Sequence, residues 1–181
     1  MGKTTGTEQV DHRKKVVVLT TGGTIEKSYS EDDGSLKNRN SMLRDRLLAK
    51  IRLPHTFIEV LEVMAMDSLD MTNDHRQQIL TVAQSKCGEG SPIIVLHGTD
   101  SMEQTAMLFY ESMEAWKVPV IFTGAMRPLG FENSDALQNI VEALLAAQIL
   151  APGVYISFHN HIFPLPNVVK DKALGTFTAK F

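Results

Sequence analysis

The sequence predicts an α/β protein with a doubly wound, mainly parallel sheet and helices on both faces. Short apolar runs alternate about four times with segments of helical period, which is the pattern of parallel strands joined by crossover helices. The first run, residues 16–19, is apolar at every position, so both faces of that strand are expected to be buried. Residues 1–181 are expected to form one domain, because a chain of this length suffices for a substantial core.

Five strands and four helices are predicted, in order, after a polar arm at residues 1–15. The first strand stops at a Thr-Gly-Gly turn, and the polar residues 26–40 have little to bury, so they predict a long surface loop. Ser41 then caps a helix that must end before Pro54. The later strands are expected at 57–66, 93–96, 118–122 and 154–158, and the later helices at 73–85, 101–116 and 134–150. The tail, residues 159–181, shows no clear period.

Two of these helices begin with recognisable capping residues. Thr72 precedes the helix expected at 73–85, and its hydroxyl suits the N-cap position. Asp100 and Glu103 have the spacing of a capping box at the start of the helix expected at 101–116. Both carboxylates therefore have a structural interpretation as well as a functional one.

Composition and charge exclude several classes of protein. Lys and Arg total 18 against 21 Asp and Glu, and the two signs are interspersed, so no broad positive field favours nucleic acid or a membrane surface. The single cysteine, Cys87, allows no intrachain disulfide and no thiolate metal cluster, which favours a cytoplasmic location. No apolar run approaches the roughly 18 residues that span a bilayer, so neither a signal peptide nor a transmembrane helix is expected.

Ligands of doubly wound sheets bind outside the carboxyl ends of the strands, at the point where the strand order reverses. This rule selects residues 20–25, 67–70, 97–101, 123–133 and those beyond 158 as candidate site segments. They contain most of the side chains with useful chemistry.

The first of these segments is a glycine turn. Its two glycines allow a ligand to approach the backbone closely and direct amide N–H groups at negative charge. The turn lacks the third glycine of a dinucleotide-binding motif, and a polar loop rather than a helix follows, so a dinucleotide is not expected. A turn whose threonines satisfy only local backbone groups explains the same residues.

Residues 97–101, His-Gly-Thr-Asp-Ser, end the third strand and open a helix. Amide N–H groups and the positive end of the helix dipole suit a carboxylate or a developing oxyanion there, and Asp100 suits a cationic amine. The capping box explains Asp100 without any ligand, and a cap and a ligand contact are compatible.

Other reactive groups are less specific. Lys170 lies in the tail; a lysine in a dry site can lose its proton and act as a base, although most lysines are only solvated. His159 and His161 are two residues apart, but no third metal ligand is evident, so coincidence is the better explanation of their spacing. The G-x-S-x-G motif of one class of serine hydrolases is absent from the sequence.

Taken together, residues 21–25 (Thr-Gly-Gly-Thr-Ile) and 97–101, each closing a strand, resemble the two signature motifs of the bacterial-type L-asparaginase and glutaminase family. The resemblance extends to Ser-Leu-Asp-Met at 68–71, Gly-Ala-Met-Arg-Pro at 124–128 and a lysine placed as Lys170 is. It covers about residues 16–177 and implies the Rossmann-like catalytic domain of that family.

The resemblance implies hydrolysis of L-asparagine to L-aspartate and ammonia through an acyl-enzyme on Thr24. It also implies a hydrogen-bonded triad of Thr99, Lys170 and Asp100, in which the lysine acts through Thr99 as the base that an unactivated hydroxyl needs. Tyr29 resembles the lid tyrosine that assists the nucleophile. The substrate-binding residues implied are Gly23, Ser68, Thr99, Asp100 and Ala125.

The same resemblance implies no cofactor and no metal, a homo-oligomer (a dimer or tetramer), and a small-molecule substrate as the ligand. Two features depart from the family pattern. The chain stops just past Lys170, without the family's smaller C-terminal domain, so it resembles a short-chain branch or a truncated form. Leu69 stands where many relatives have a glutamine that contacts the substrate, so the affinity and the tolerance for glutamine are open.

Other functions remain as alternatives. One is a non-catalytic amino-acid sensor that uses the same pocket, and another is a glutaminase or related amidase. A sensor has no need for Thr24, Thr99 and Lys170 together. A phosphate or nucleotide hydrolase would carry a lysine inside the glycine loop, and this loop has none.

Overall fold

The structure, a computed structural model, describes residues 12–29, 36–38, 48–112, 116–129 and 131–180, with the backbone alone for 26–29 and 36–38. In chain order, the strands are β1 (Lys14–Gly22), β2 (Lys27–Tyr29), β3 (Leu36–Asn38), β4 (Thr56–Met66), β5 (Ile93–Leu96), β6 (Pro119–Thr123), β7 (Gly153–Phe158), β8 (His161–Pro164), β9 (Val168–Asp171) and β10 (Thr176–Ala179). The α-helices are α1 (Asn73–Cys87), α2 (Met102–Ser112) and α3 (Ala136–Ile149). Two 3-10 turns, Thr24–Glu26 and Leu48–Lys50, lie between β1 and β4.

Among the described residues, the main sheet has six strands in the order β4-β1-β5-β6-β7-β8. The neighbours from β4 to β7 are parallel, and β8 adds an antiparallel edge. The α/β fold with a mainly parallel sheet is therefore confirmed. No helix in the described ranges is long and apolar enough to cross a membrane.

Two core layers cover the faces of this sheet. Successive side chains of a strand point to opposite faces, and the apolar run of β1 fills both. Val17 and Leu19 belong to the layer formed with α1 and α2, whereas Val16 and Val18 belong to the layer formed with α3. All four side chains are fully buried, which explains why this strand has no polar face.

The connection between β1 and β4 differs from the surface loop predicted at 26–40. β2 and β3 pair there as an antiparallel ribbon, with Lys27 opposite Asn38 and Tyr29 opposite Leu36. A polar ribbon held by main-chain hydrogen bonds has no apolar period, so the pattern did not indicate it. The helix predicted from Ser41 lies largely outside the described residues, and Leu48–Lys50 forms a 3-10 turn near its expected end.

Two further predictions also need correction. The helix predicted through Trp116 is described as far as Ser112, and Trp116 lies outside it. There the indole ring stacks on Phe109 with 5.5 Å between ring centroids, and its N–H donates to the Phe109 carbonyl. The tail contains three strands, β8 to β10, each of four residues and therefore too short to show a period.

Candidate active site

The candidate site lies at the carboxyl ends of β1 and β5, which are neighbours in the sheet. From β1 the chain proceeds to β4 on one side, and it returns through α1 to β5 on the other. The strand order therefore reverses between β1 and β5, which is where a doubly wound sheet opens a crevice for a ligand. Both signature segments begin at this point.

The glycine turn after β1 touches the segment after β5 through its backbone. Gly22 and Gly23 have φ angles of +92° and +85°, which L side chains rarely adopt. A Cβ atom at Gly23 would lie 2.6 Å from the Cα of Gly98, so any side chain there would push the two segments apart. Thr24, partly exposed, starts the 3-10 turn directly after this contact.

His97 supports the second segment from within the core. Its Nδ1 donates to the Gly98 carbonyl at 2.8 Å, and its Nε2 accepts from the Thr105 hydroxyl of α2 at 2.8 Å. Burial lowers the pKa of His97 from 6.5 to about 4, against the Gly98 hydrogen bond, and the charge of Arg76 lowers it further. His97 is therefore neutral at pH 7 and serves as a structural contact.

Lys170 reaches this segment from β9. Its Nζ donates to Thr99 Oγ1 at 2.7 Å and to Asp100 Oδ1 at 2.8 Å, and its side chain is 14% exposed. Because Nζ supplies the proton of the first bond, the hydroxyl hydrogen of Thr99 is free to point elsewhere. An amine, a hydroxyl and a carboxylate thus form one connected group beside the glycine turn.

The capping box predicted for Asp100 and Glu103 is not formed. Helix α2 begins at Met102, so Ser101, not Asp100, precedes its first residue. Asp100 pairs with the Lys170 amine, and Glu103 Oε2 accepts from the Lys170 backbone N–H at 3.0 Å. Both carboxylates therefore hold the lysine in place instead of the helix end.

Ser68 lies beside the same segment, in the turn after β4. Its side chain is 1% exposed, and its Oγ has no hydrogen-bond partner among the described residues. Its carbonyl accepts from Ser101 Oγ at 2.6 Å, and a Cβ at Gly98 would lie 2.5 Å from its Oγ. A buried hydroxyl without a partner is costly, so this one is available to a ligand. The neighbouring Leu69 is 73% exposed.

Asp135 holds the loop after β6, which carries the buried Ala125. Its two carboxylate oxygens accept the backbone N–H groups of Met126 and Arg127, each at 2.9 Å. Burial alone would raise the pKa of Asp135, but these two bonds and one from His159 outweigh it and lower that pKa. Asp135 is the last residue before α3, so a charged helix start orders this loop.

The structure brings together most of the predicted site residues and leaves one undefined. Gly23, Ser68, Thr99, Asp100, Lys170 and Ala125 lie at the carboxyl edge of the sheet or in contact with it. Tyr29 ends β2, and its side chain lies outside the described part. Among the described residues, no three His, Cys, Asp or Glu side chains are grouped as metal ligands.

Sequence reasoning missed the supporting roles of Asp135, Glu103 and His159. Glu103 was interpreted as a capping residue and His159 as half of a chance histidine pair. Each acts on residues far away in the chain, such as Glu103 on Lys170. No local spacing signals such contacts.

Comparison with known proteins identifies the family. A family model described as "Asparaginase, N-terminal" matches residues 15–179. The chain belongs to the asparaginase family. L-asparaginase 1 of Escherichia coli (strain K12) is 30% identical over 169 residues, 90% of this chain and 49% of that protein.

Two further comparisons define the breadth of the family match. The solved structure of the thermostable L-asparaginase from Thermococcus kodakarensis is 28% identical, with a TM-score of 0.81 over 91% of this asparaginase-family chain and 51% of its own. One component of the glutamyl-tRNA(Gln) amidotransferase of Methanococcus vannielii is 26% identical over 86% of this chain and 36% of its own. The asparaginase-family chain spans about half the length of the asparaginases it matches.

Proposed function

We propose that the protein hydrolyses L-asparagine to L-aspartate and ammonia through an ester formed with Thr24. The observation that carries the proposal is the contact of Lys170 Nζ with both Thr99 and Asp100 at the switch point of the sheet. A base, a hydroxyl that can relay a proton and an anionic group stand there beside the glycine turn that leads to Thr24. Family membership supports an amide as the substrate.

The reaction begins with attack of Thr24 Oγ on the side-chain amide carbonyl carbon. The hydroxyl proton passes to Thr99, whose own proton passes to the Lys170 amine, which must hold a lone pair at that step. The tetrahedral oxyanion is stabilised by amide N–H groups of the glycine turn. Collapse breaks the C–N bond, the proton held by the lysine moves to the leaving nitrogen, and ammonia departs. Water then hydrolyses the ester by the same proton route in reverse.

Two polar groups orient the substrate for this attack. The Asp100 carboxylate binds the α-amino group, since its side chain is 41% exposed beside the lysine contact. The Ser68 hydroxyl, buried and unpartnered among the described residues, donates to the α-carboxylate. Gly23 and Ala125 contribute backbone contacts, and the assistance of Tyr29 to the nucleophile stays a prediction.

The alternatives differ in what they leave unexplained. A non-catalytic sensor accounts for Asp100 and Ser68 but gives the contact between Lys170 and Thr99 no purpose. A glutaminase or related amidase uses the same chemistry, and the similarity to an amidotransferase component keeps that possibility in view. Asparagine is expected to be preferred over glutamine, because Leu69 offers no hydrogen bond to a longer side chain.

Ammonia release from L-asparagine, L-glutamine and D-asparagine tests the proposal. The wild type is expected to release ammonia fastest from L-asparagine, Thr24→Ser to retain part of that rate, and Thr24→Ala to lose it. Binding of asparagine without release by a folded wild type would establish the sensor instead. Equal or faster turnover of glutamine would contradict the substrate assignment.

Three further properties are part of the proposal. Activity is expected to survive exhaustive chelation, and a loss that one divalent ion restores would contradict the metal-free mechanism. Light scattering of the purified protein tests the expected homo-oligomer. The cytoplasmic location is tested by fractionation of the producing cell.

A further inference from the structure

His159 connects two loops of the site, although the mechanism above gives it no role. Its Nε2 lies 2.9 Å from Asp135 Oδ2, and its Nδ1 lies 2.9 Å from Thr176 Oγ1. Asp135 in turn holds the backbone of Met126 and Arg127. A continuous chain of hydrogen bonds therefore runs from the loop after β6, through the imidazole, to β10.

Thr176 belongs to the hairpin that carries Lys170. β9 and β10 pair only with each other among the described strands, with Phe177 opposite Lys170 and Thr176 opposite Asp171. An isolated two-stranded hairpin is marginally stable in water, so its position depends on contacts with the rest of the molecule. The ring of Phe158 packs edge-on against Phe177, with 5.1 Å between centroids, and supplies one such contact; the His159 bridge adds a directional one.

The backbone around His159 is held in an unfavourable conformation. His159 and Asn160 have φ angles of +46° and +62°, and neither is glycine. Asn139 Oδ1 accepts the His159 N–H at 3.1 Å, and Glu142 Oε2 accepts the Asn160 N–H at 2.7 Å. Both acceptors lie on α3, so the helix enforces a turn that aims the imidazole between Asp135 and Thr176.

We propose that His159 is a positioning residue that keeps the Lys170 amine on Thr99. The imidazole transfers the fixed position of Asp135 to Thr176, and through the β9–β10 pairing to Lys170 on the opposite strand. This inference rests on the proposed function for its catalytic consequence, but the bridge itself does not depend on which reaction the site performs.

The neighbouring His161 provides a matched control. It is exposed on the edge strand β8, with its ring 4.3 Å from that of Phe163. It lies two residues from His159 and carries the same side chain. A substitution there changes a histidine without touching the bridge.

The bridge is tested by steady-state kinetics of four variants. In His159→Asn the new residue tolerates the left-handed backbone but is too short to reach both partners. Thr176→Val removes the hydroxyl at nearly constant shape, and Thr176→Ser restores it. We expect kcat to fall about tenfold in His159→Asn and Thr176→Val with KM within about twofold, because the base is misplaced and the substrate contacts are not. Thr176→Ser and His161→Asn are expected to stay near the wild-type kcat.

The double variant His159→Asn with Thr176→Val is expected to be no slower than the worse single variant, because both break one bridge. Additive losses would overturn the inference, as would a rise in KM at unchanged kcat or a Thr176→Ser variant as slow as Thr176→Val.

Hydrogen exchange of the β9–β10 amides separates this inference from the proposed function. We expect faster exchange in Val168–Asp171 and Thr176–Ala179 in His159→Asn, and wild-type exchange in His161→Asn. If the wild type releases no ammonia, the proposed function fails, while this measurement still decides the bridge. Unchanged hairpin exchange in His159→Asn would overturn it.

Discussion

At the scale of single residues, Lys170 is defined by what its amine touches. The Nζ contacts a hydroxyl and a carboxylate at once, and the backbone N–H of the same residue is bound by Glu103. A solvated lysine has no such set of partners. Its position therefore follows from the fold around it and not from the composition of the tail.

Replacement of Lys170 tests this role directly. Lys170→Met keeps most of the apolar stem and removes the amine, so the fold is expected to survive while turnover falls about 100-fold or more. Lys170→Arg is expected to be no better, because a guanidinium stays protonated and cannot accept a proton. Rates of ammonia release and melting temperatures measure both effects.

Lys172 is the control for this experiment. It lies two residues further on and is exposed in the turn after β9. Lys172→Met is expected to be nearly silent. Wild-type turnover in Lys170→Met would exclude the lysine as the base.

His97 links the site to the acid stability of the protein. Its pKa is 6.5 in ordinary surroundings and about 4 in the fold, where burial is the main cause. Between these values the unfolded chain binds more protons, so the stabilisation is complete above pH 6.5 and is lost as the pH falls toward 4. The shift corresponds to about 3 kcal/mol.

Urea unfolding at a series of pH values measures this contribution. The wild type is expected to lose stability between pH 6.5 and 4 more steeply than His97→Gln, which has no titratable group at this position. Parallel pH profiles for the two proteins would show that His97 is not buried in its neutral form.

At the scale of elements, the start of α1 shows a local signal that the fold preserves. Thr72 Oγ1 accepts from the His75 N–H at 3.5 Å, and His75 Nδ1 accepts from the Thr72 N–H at 3.1 Å. The cap predicted from the sequence is therefore confirmed, with a histidine in the place of the usual Glu or Gln.

Thr72→Ala is expected to lower the free energy of unfolding by about 1 kcal/mol, because it removes the acceptor for a helix N–H. Thr81, exposed within the same helix, is the matched control, since its hydroxyl only donates back to the Gln77 carbonyl. Thr81→Ala is expected to be neutral or slightly stabilising. Equal losses in both variants would assign the effect to the helix interior and not to the cap.

The start of α2 shows the opposite outcome. Asp100 and Glu103 have the spacing of a capping box, yet each contacts Lys170 instead. A charged amine offers a carboxylate a stronger hydrogen bond than a backbone N–H does. Asp100→Ala is therefore expected to impair substrate binding and the lysine contact without the loss of a helix cap.

At the scale of the whole molecule, the site depends on the contact between two connections that are far apart in the chain. Gly23 and Gly98 meet backbone to backbone, and the sheet order of β1 and β5 is what brings them together. Any side chain at Gly23 would separate the nucleophile's turn from the triad.

Gly23→Ala and Gly90→Ala separate this contact from backbone strain. Both residues have positive φ, +85° and +75°, but a Cβ at Gly90 meets nothing within 4 Å. Gly90→Ala is expected to cost about 1 kcal/mol and leave turnover intact. Gly23→Ala is expected to cost more stability and abolish turnover, as measured by unfolding and ammonia release. Similar turnover in both variants would show that the close approach is not needed for activity.

Much of the fold was determined by the sequence alone. Apolar runs and helical periods predicted the parallel strands β1 and β4 to β7 and the helices that cover both faces, because these signals reside in neighbouring residues. The carboxyl-end rule then selected the segments that contain Gly23, Thr99 and Ala125. Polar ribbons and four-residue strands, such as β9, carry no such period and were missed.

Only the tertiary structure decided how the site is assembled. Lys170 and Thr99 are 71 residues apart, and the tail's sequence contains nothing that sets the register of β9 against α2. The same holds for the bridge from Asp135 through His159 to Thr176. Such contacts depend on the packing of the β9–β10 hairpin against the main sheet, whereas sequence patterns report the burial and turns of adjacent residues. The sequence therefore indicated the fold and the reactive groups, and the packing of distant segments determined which of those groups meet.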